Sequence, residues 1–146
     1  MTTDFVVPSV TPIVLAIDPG KDKCGVAVVA ASGEVCERRI YPPHEIPAAV
    51  SSLVEKYGVT DIALGNATTA LRMQEELSLR LPAVRMTMVD ETGSTLQARA
   101  LYWQANPPRG WRRLTPLSMQ VPPEPVDDFA AVVLAQRYFA RMRETG

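Results

Sequence analysis

The sequence predicts an α/β domain: a mixed five-stranded sheet, three antiparallel strands followed by parallel crossovers, with helices on both faces. Three observations predict it. Residues 13–40 hold three strand-length segments in succession, the first two of them apolar runs and the last two divided by the tight-turn pair Ser32-Gly33. Beyond them, helix-spaced and strand-like segments alternate, the pattern of crossover units. Of the 146 residues, 47% are hydrophobic and 21% charged, which suits one compact domain with a real core.

Residues 1–12 read as a loose arm. Val14-Leu15-Ala16-Ile17 is a buried strand, predicted over 13–18, and it ends on Asp18. Pro19-Gly20 and a charged turn lead to a second strand over 24–30. The third, after Ser32-Gly33, covers 34–40. "YPPHEIP", residues 41–47, breaks the run. Val50, Leu53, Val54 and Tyr57 follow the i, i+3, i+4, i+7 spacing of an amphipathic helix, with Gly58 placed as its stop. Asp61-Ile62-Ala63-Leu64-Gly65 is a short strand. A helix over 70–81 puts Met73, Leu77 and Leu81 on one face, and Pro82 ends it. "VRMTMVDE", residues 84–91, is the last strand, and it too ends in acids. Ser94 is expected to cap the next helix, which runs to Ala105 with Leu96, Ala100 and Trp103 aligned. Residues 106–125 carry six prolines and little periodicity, a long ordered loop or partly mobile flap. Pro125 suits the first turn of a final helix reaching Arg143. With no internal repeat, residues 1–146 read as a single domain.

The formal net charge is −1, which does not announce a nucleic-acid binder, although basic clusters lie at Arg109–Arg113 ("RGWRR") and at Arg137, Arg141 and Arg143. Cys24 and Cys36 form no metal-ligand pattern. With the turn at Ser32-Gly33, Cys36 falls opposite Val29 rather than Cys24. Two buried, reduced thiols are expected, and they favour the cytoplasm. No apolar run approaches the roughly 20 residues of a membrane span. The first 12 residues carry neither the basic stretch nor the long apolar stretch of a secretion signal.

Three carboxylates stand out by position. Asp18 ends the first strand, Glu91 follows the last, and Asp127 opens the last helix. In sheets of this kind, sites form beyond the carboxyl ends of strands. Gathered carboxylates repel and raise one another's pKa, and stay ionised together when divalent cations sit among them. All-oxygen ligands select Mg²⁺ or Mn²⁺ over Zn²⁺. Two such ions, about 3.5–4 Å apart, can activate a water and stabilise the leaving oxygen of a phosphodiester. Each acid also has an ordinary explanation: Asp-Pro-Gly suits tight turns, Glu91 can precede a helix, and Asp127 or Asp128 suits a helix N-terminus. Spacing alone does not choose.

Four boxes resemble one family in order. "IDPGKDKCGVAVV", "DIALGNA", "VDETGST" and "VDDFAAVVLAQRYF" are similar to the motifs of the RuvX/YqgF family of Holliday-junction resolvases, in the ribonuclease H-like superfamily. The resemblance runs from Ile13 to Phe139. It implies a ribonuclease H-like fold and places the family's catalytic and metal-binding acids on Asp18, Glu91 and Asp127, with Asp128 as runner-up for the third. It implies two Mg²⁺ or Mn²⁺ ions and a nucleic-acid partner, either branched DNA or the 5′ region of precursor 16S ribosomal RNA. Thr92 replaces the family's arginine after Asp-Glu, and Asn66 follows Gly65 where a Leu-Pro is expected.

Lys21 and Lys23, beside Asp18, and Trp111, Arg112 and Arg113 in the Pro-rich loop are candidates for nucleic-acid contact by charge and base stacking. His44 reads as a surface residue. The expected function is a metal-dependent nuclease with no membrane partner; a homodimer is left open. The rival readings are a catalytically weak binding or adaptor module of the same fold, and an actin-like phosphotransferase, for which one domain is too short.

Overall fold

The computed structural model of the protein describes residues 12–116 and 120–145, so the expected N-terminal arm, Pro12 excepted, and residues 117–119 of the Pro-rich loop lie outside the described residues. The five strands are β1 (Ile13–Asp18), β2 (Cys24–Ala30), β3 (Val35–Tyr41), β4 (Asp61–Gly65) and β5 (Arg85–Val89). They form one sheet in the order β3-β2-β1-β4-β5. β1 pairs antiparallel with β2, and β2 with β3, while β1, β4 and β5 run parallel. The helices are α1 (Ile46–Tyr57), α2 (Ala70–Arg80), α3 (Ser94–Ala105) and α4 (Asp127–Thr145).

Alternation along the strands divides the core into two layers. Leu15, Ile17, Val26, Val28, Ile62 and Leu64 face α1 and α2, where Ile46, Val50, Leu53 and Leu77 meet them. Val14, Ala16, Ala27, Val29 and Ala63 face α4 through Ala131, Leu134 and Ala135. Alanines on both sides of that second layer let α4 lie close to the sheet. Because β1 and β2 are covered on both faces, their sequences read as unbroken apolar runs rather than alternating ones. Gly58 stops α1 in the left-handed conformation, at φ 65°.

Five expectations are corrected. Cys24 is buried, but Cys36 is exposed, because β3 is an edge strand with its residues largely in solvent. A bulge between Val28 and Val29 sets Val29 against Val35 and Val28 against Glu37, so Cys36 lies between registers and not opposite Val29. Ser94 does not cap α3: Gly93, at φ 73°, occupies the cap position and Ser94 is the buried first residue. Leu96 is exposed, because α3 packs on α4 and not on the sheet; Ala98, Tyr102 and Trp103 meet Phe129, Ala130 and Val133. Finally, α4 begins at Asp127, two residues beyond Pro125.

Candidate active site

Strand register builds the site. Ile17 of β1 pairs with Leu64 of β4, and Gly65 pairs with Val89 of β5, so Asp18, Gly65 and the Asp90-Glu91 turn sit side by side at the carboxyl edge. On the other side of β1, Asp18 is registered with Gly25. A Cβ at Gly25 would collide with the backbone carbonyl of Asp127. Only glycine lets the first turn of α4 rest on β2 there, and that contact delivers Asp127 beside Asp18.

Burial and like charge act together on these acids. The Asp18 carboxyl is pushed up to about 7, first by burial, then by the charges of Glu91 and Asp127. Burial also raises Asp127, while the nearby Lys23 pulls it back. Glu91 Oε2 is buried with no hydrogen-bond donor, and the carboxyl of Asp18 stands near enough to bond to Glu91 only while a proton remains between them. A Cβ at Gly65 would come within 2.7 Å of Glu91 Oε2, so the glycine keeps space beside that oxygen.

The loop carrying Glu91 is held from several directions. Asn66 Oδ1 accepts the Glu91 N–H at 3.3 Å, and the Asn66 N–H donates to the Val89 carbonyl at 3.0 Å. Asp90 accepts from the Thr92 N–H and hydroxyl at 3.1 and 2.8 Å, bonds that hold its carboxyl below its ordinary value. Arg137 donates to the Asp90 carbonyl at 2.8 Å.

Asp127 and Asp128 part company in their surroundings. Asp128 is buried and paired with Arg38 of β3 at 2.7 Å, and its other oxygen accepts the Phe129 N–H at 3.0 Å. The Arg38 guanidinium lies 4.0 Å from the centre of the Phe129 ring. Asp128 is thus engaged with the fold, whereas Asp127 is in electrostatic reach of Asp18.

An oxygen-only donor set with an orphaned buried oxygen fits a hard divalent cation such as Mg²⁺ or Mn²⁺. Among the described residues, no three His, Cys, Asp or Glu side chains stand close enough to enclose an ion as they are placed. Asp18 and Glu91 form the tight pair, and Asp127 acts on Asp18 through space.

The basic candidates are dispersed. Lys23 lies near Asp127. Lys21 lines a cleft of about 420 Å³ with Arg72, His44 and Glu76 on the α2 side. Arg113 is exposed in a short helical turn, Gly110–Leu114, and donates to the Gly110 carbonyl at 3.4 Å. The side chains of Trp111 and Arg112 lie outside the described residues. Sequence reasoning missed Gly25 and Arg38, whose roles depend on distant chain segments; it noticed Arg137 only as part of a basic cluster and Asn66 only as a departure from the motif.

Residues 12–97, more than half of the chain, match the model of the Tex protein YqgF-like domain. The chain belongs to that family. Among curated proteins no sequence match is found. The structure of Thermus thermophilus RuvC superimposes with a TM-score of 0.58 at 18% identity, covering 89% of this chain and 96% of RuvC. The large terminase nuclease from thermophilic phage G20c does so with a TM-score of 0.55 at 15% identity, covering 86% of this chain and 81% of the nuclease. These likenesses establish the fold as ribonuclease H-like. A proposed sugar kinase from Cytophaga hutchinsonii aligns at a TM-score of 0.46 and 11% identity, over 60% of this chain; the chain spans only 38% of that protein's length, too slight a resemblance to bear on function. The YqgF-like domain thus carries its acids at the carboxyl edge of a ribonuclease H-like sheet. Among its described residues no helix is long and apolar enough to cross a membrane.

Proposed function

We propose that the YqgF-like domain is a divalent-metal-dependent nuclease that hydrolyses phosphodiester bonds in nucleic acid, with Asp18, Glu91 and Asp127 as its metal-holding acids. The observation that carries this is the Asp18–Glu91 pair, a carboxyl pushed to about 7 against a buried oxygen that lacks a donor. Such a pair is unfavourable by itself and is relieved by a cation or a proton. Bound among these oxygens, Mg²⁺ or Mn²⁺ supplies the positive charge that lowers the barrier to attack by water on a phosphodiester. Asp18 lies between the other two acids and would contact both ions. Asn66 and Arg137 fix the turn bearing Glu91, and the Gly25 contact fixes the turn bearing Asp127. Lys21 and Lys23 would hold substrate phosphates beside them. Trp111, Arg112 and Arg113 would meet the strand from the Pro-rich loop.

The resemblance to resolvases and ribosomal RNA nucleases names two substrates, branched DNA and the 5′ region of precursor 16S ribosomal RNA. The formal charge of −1 favours the RNA, because a four-way junction calls for a broad basic platform. The free cysteines fit a reducing compartment such as the cytoplasm.

One observation favours a second reading, a binding or adaptor module with little catalysis: no ready three-ligand cluster stands among the described residues. The test is a cleavage assay on both substrates with Mn²⁺, beside Asp18→Asn. Metal-dependent cleavage lost in the variant supports the nuclease. Binding of either substrate without cleavage in Mn²⁺ supports the adaptor and overturns the nuclease reading.

A further inference from the structure

On the α4 side of Glu91, residues Val89, Asp90, Thr92, Arg137 and Arg141 line an open cleft of about 450 Å³. Asp90 and Thr92 are the chain neighbours of Glu91, so this cleft lies beside the turn that carries Glu91. Arg137 and Arg141 are four residues apart on α4 and therefore share one helix face. Arg137 is clamped: one terminal nitrogen donates to the Asp90 carbonyl at 2.8 Å, the other to Gln97 Oε1 at 3.0 Å. Arg141 donates to the Met88 carbonyl at 3.2 Å.

The chemistry of those acceptors matters. Carbonyl and amide oxygens orient a guanidinium without neutralising it. Arg137 has five N–H donors, of which these bonds use two, leaving a charged group with its side chain already ordered. The cleft's own carboxylate, Asp90, accepts the Thr92 N–H and hydroxyl through one oxygen; the Arg137 charge reaches it through space, but the two form no ion pair. A cation so placed suits an anion with several acceptor oxygens, and phosphate matches the guanidinium fork better than a point charge would.

We propose that Arg137 and Arg141 seat a backbone phosphate of the nucleic acid flanking the one that reaches Asp18 and Glu91. This rests on the nuclease reading and extends it: strand on the α4 side of the acids is gripped by α4 itself. The same bond to the Asp90 carbonyl makes Arg137 a brace for Glu91, so binding of substrate and of metal must be measured apart.

The test uses the whole chain in EDTA, with short labelled single-stranded RNA and DNA oligonucleotides, followed by fluorescence anisotropy across a salt series. Arg141→Gln and Arg137→Gln should each weaken binding roughly 5- to 10-fold and lower the slope of log K against log salt by about 1. Arg137→Lys should keep most of the salt slope while losing affinity, because it retains charge without the fork. Mn²⁺ affinity, titrated separately without nucleic acid, should be unchanged in Arg141→Gln. Arg141 is exposed, so its variant reports on the cleft even if Arg137→Gln disturbs the Glu91 turn. Variants that bind with parental affinity and slope overturn the cleft alone. So does a loss confined to Mn²⁺ affinity, which would make Arg137 only a brace. A parent that binds neither oligonucleotide overturns this proposal and the nuclease reading together.

Discussion

Replacing Asp18 by Asn removes a charge that the fold holds at a loss. The native carboxyl keeps its proton up to about pH 7, whereas its ordinary value is 3.8. Between those values the native state binds more protons than the unfolded chain, so the parent loses stability as pH rises through that window and has lost the whole contribution above it. At about 1.4 kcal/mol per pKa unit, the interval sets a ceiling of about 4 kcal/mol. Asp18 is partly open to solvent, and screening reduces the figure to about 2 kcal/mol. Asn carries no charge, and its amide can give Glu91 Oε2 the donor it lacks. With unfolding entropy of about 2.1 cal/mol/K per residue, a chain of this length should gain roughly 6 °C in Tm at pH 8 in EDTA. The gain should shrink as pH falls through that window and approach zero near pH 3, below both values, where the parent carboxyl is mostly protonated in both states. Thermal melts of both proteins from pH 3 to 8 provide the assay. A gain independent of pH, or a variant less stable than the parent at pH 8, would refute the reasoning and leave Asp18 a structural turn residue.

Other expectations follow from single contacts. Gly65→Ala places a methyl within 2.7 Å of Glu91 Oε2 and 3.0 Å of Leu134 Cδ1, and should weaken Mn²⁺ binding while lowering stability by about 1–3 kcal/mol, read from calorimetry and urea unfolding. Gly25→Ala should be more damaging, displacing the start of α4; near-parental unfolding would deny the close contact with Asp127. Arg38→Ala leaves Asp128 buried and unpaired and should cost about 1–2 kcal/mol, discounted because Arg38 is partly exposed, with Mn²⁺ affinity unchanged. Arg112 and Arg113 replaced together by Ala should weaken nucleic-acid binding alike across sequences and flatten its salt dependence. Trp111→Ala should harm single strands more than duplexes, since only unpaired bases offer a free face. Equal effects on both would remove stacking from the account.

The fold was legible because its strongest signals are local. Apolar runs, Ser32-Gly33, the Val50–Tyr57 spacing and Gly58 each act within a few residues, and the strands they mark lie within a residue or two of expectation, while α1 ends where Gly58 predicts but begins at Ile46, inside the segment read as a break. Errors arose where a distant partner decides. Cys36 is exposed because β3 is the edge strand of the sheet, with nothing paired to its outer side among the described residues, and Leu96 because α3 is covered by α4 instead of the sheet. The carboxyl-edge position of Asp18 and Glu91 could be read from strands that end in acids. The choice between Asp127 and Asp128 could not, since both lie in the first turn of α4. What separates them is Arg38, 90 residues away in sequence. Arg137 was visible only as part of a basic tail, because its meaning comes from the Asp90 carbonyl it reaches.

Mn²⁺ titration calorimetry at pH 8 on the parent, Asp18→Asn, Asp127→Asn and Asp128→Asn addresses the central claim most directly. At that pH the Asp18 carboxyl, poised at about 7, is mostly ionised. Binding is expected in the parent and in Asp128→Asn, with affinity at least roughly 10-fold weaker, about 1.4 kcal/mol, in Asp18→Asn and Asp127→Asn. Parental affinity in Asp18→Asn, or a loss confined to Asp128→Asn, would contradict the claim.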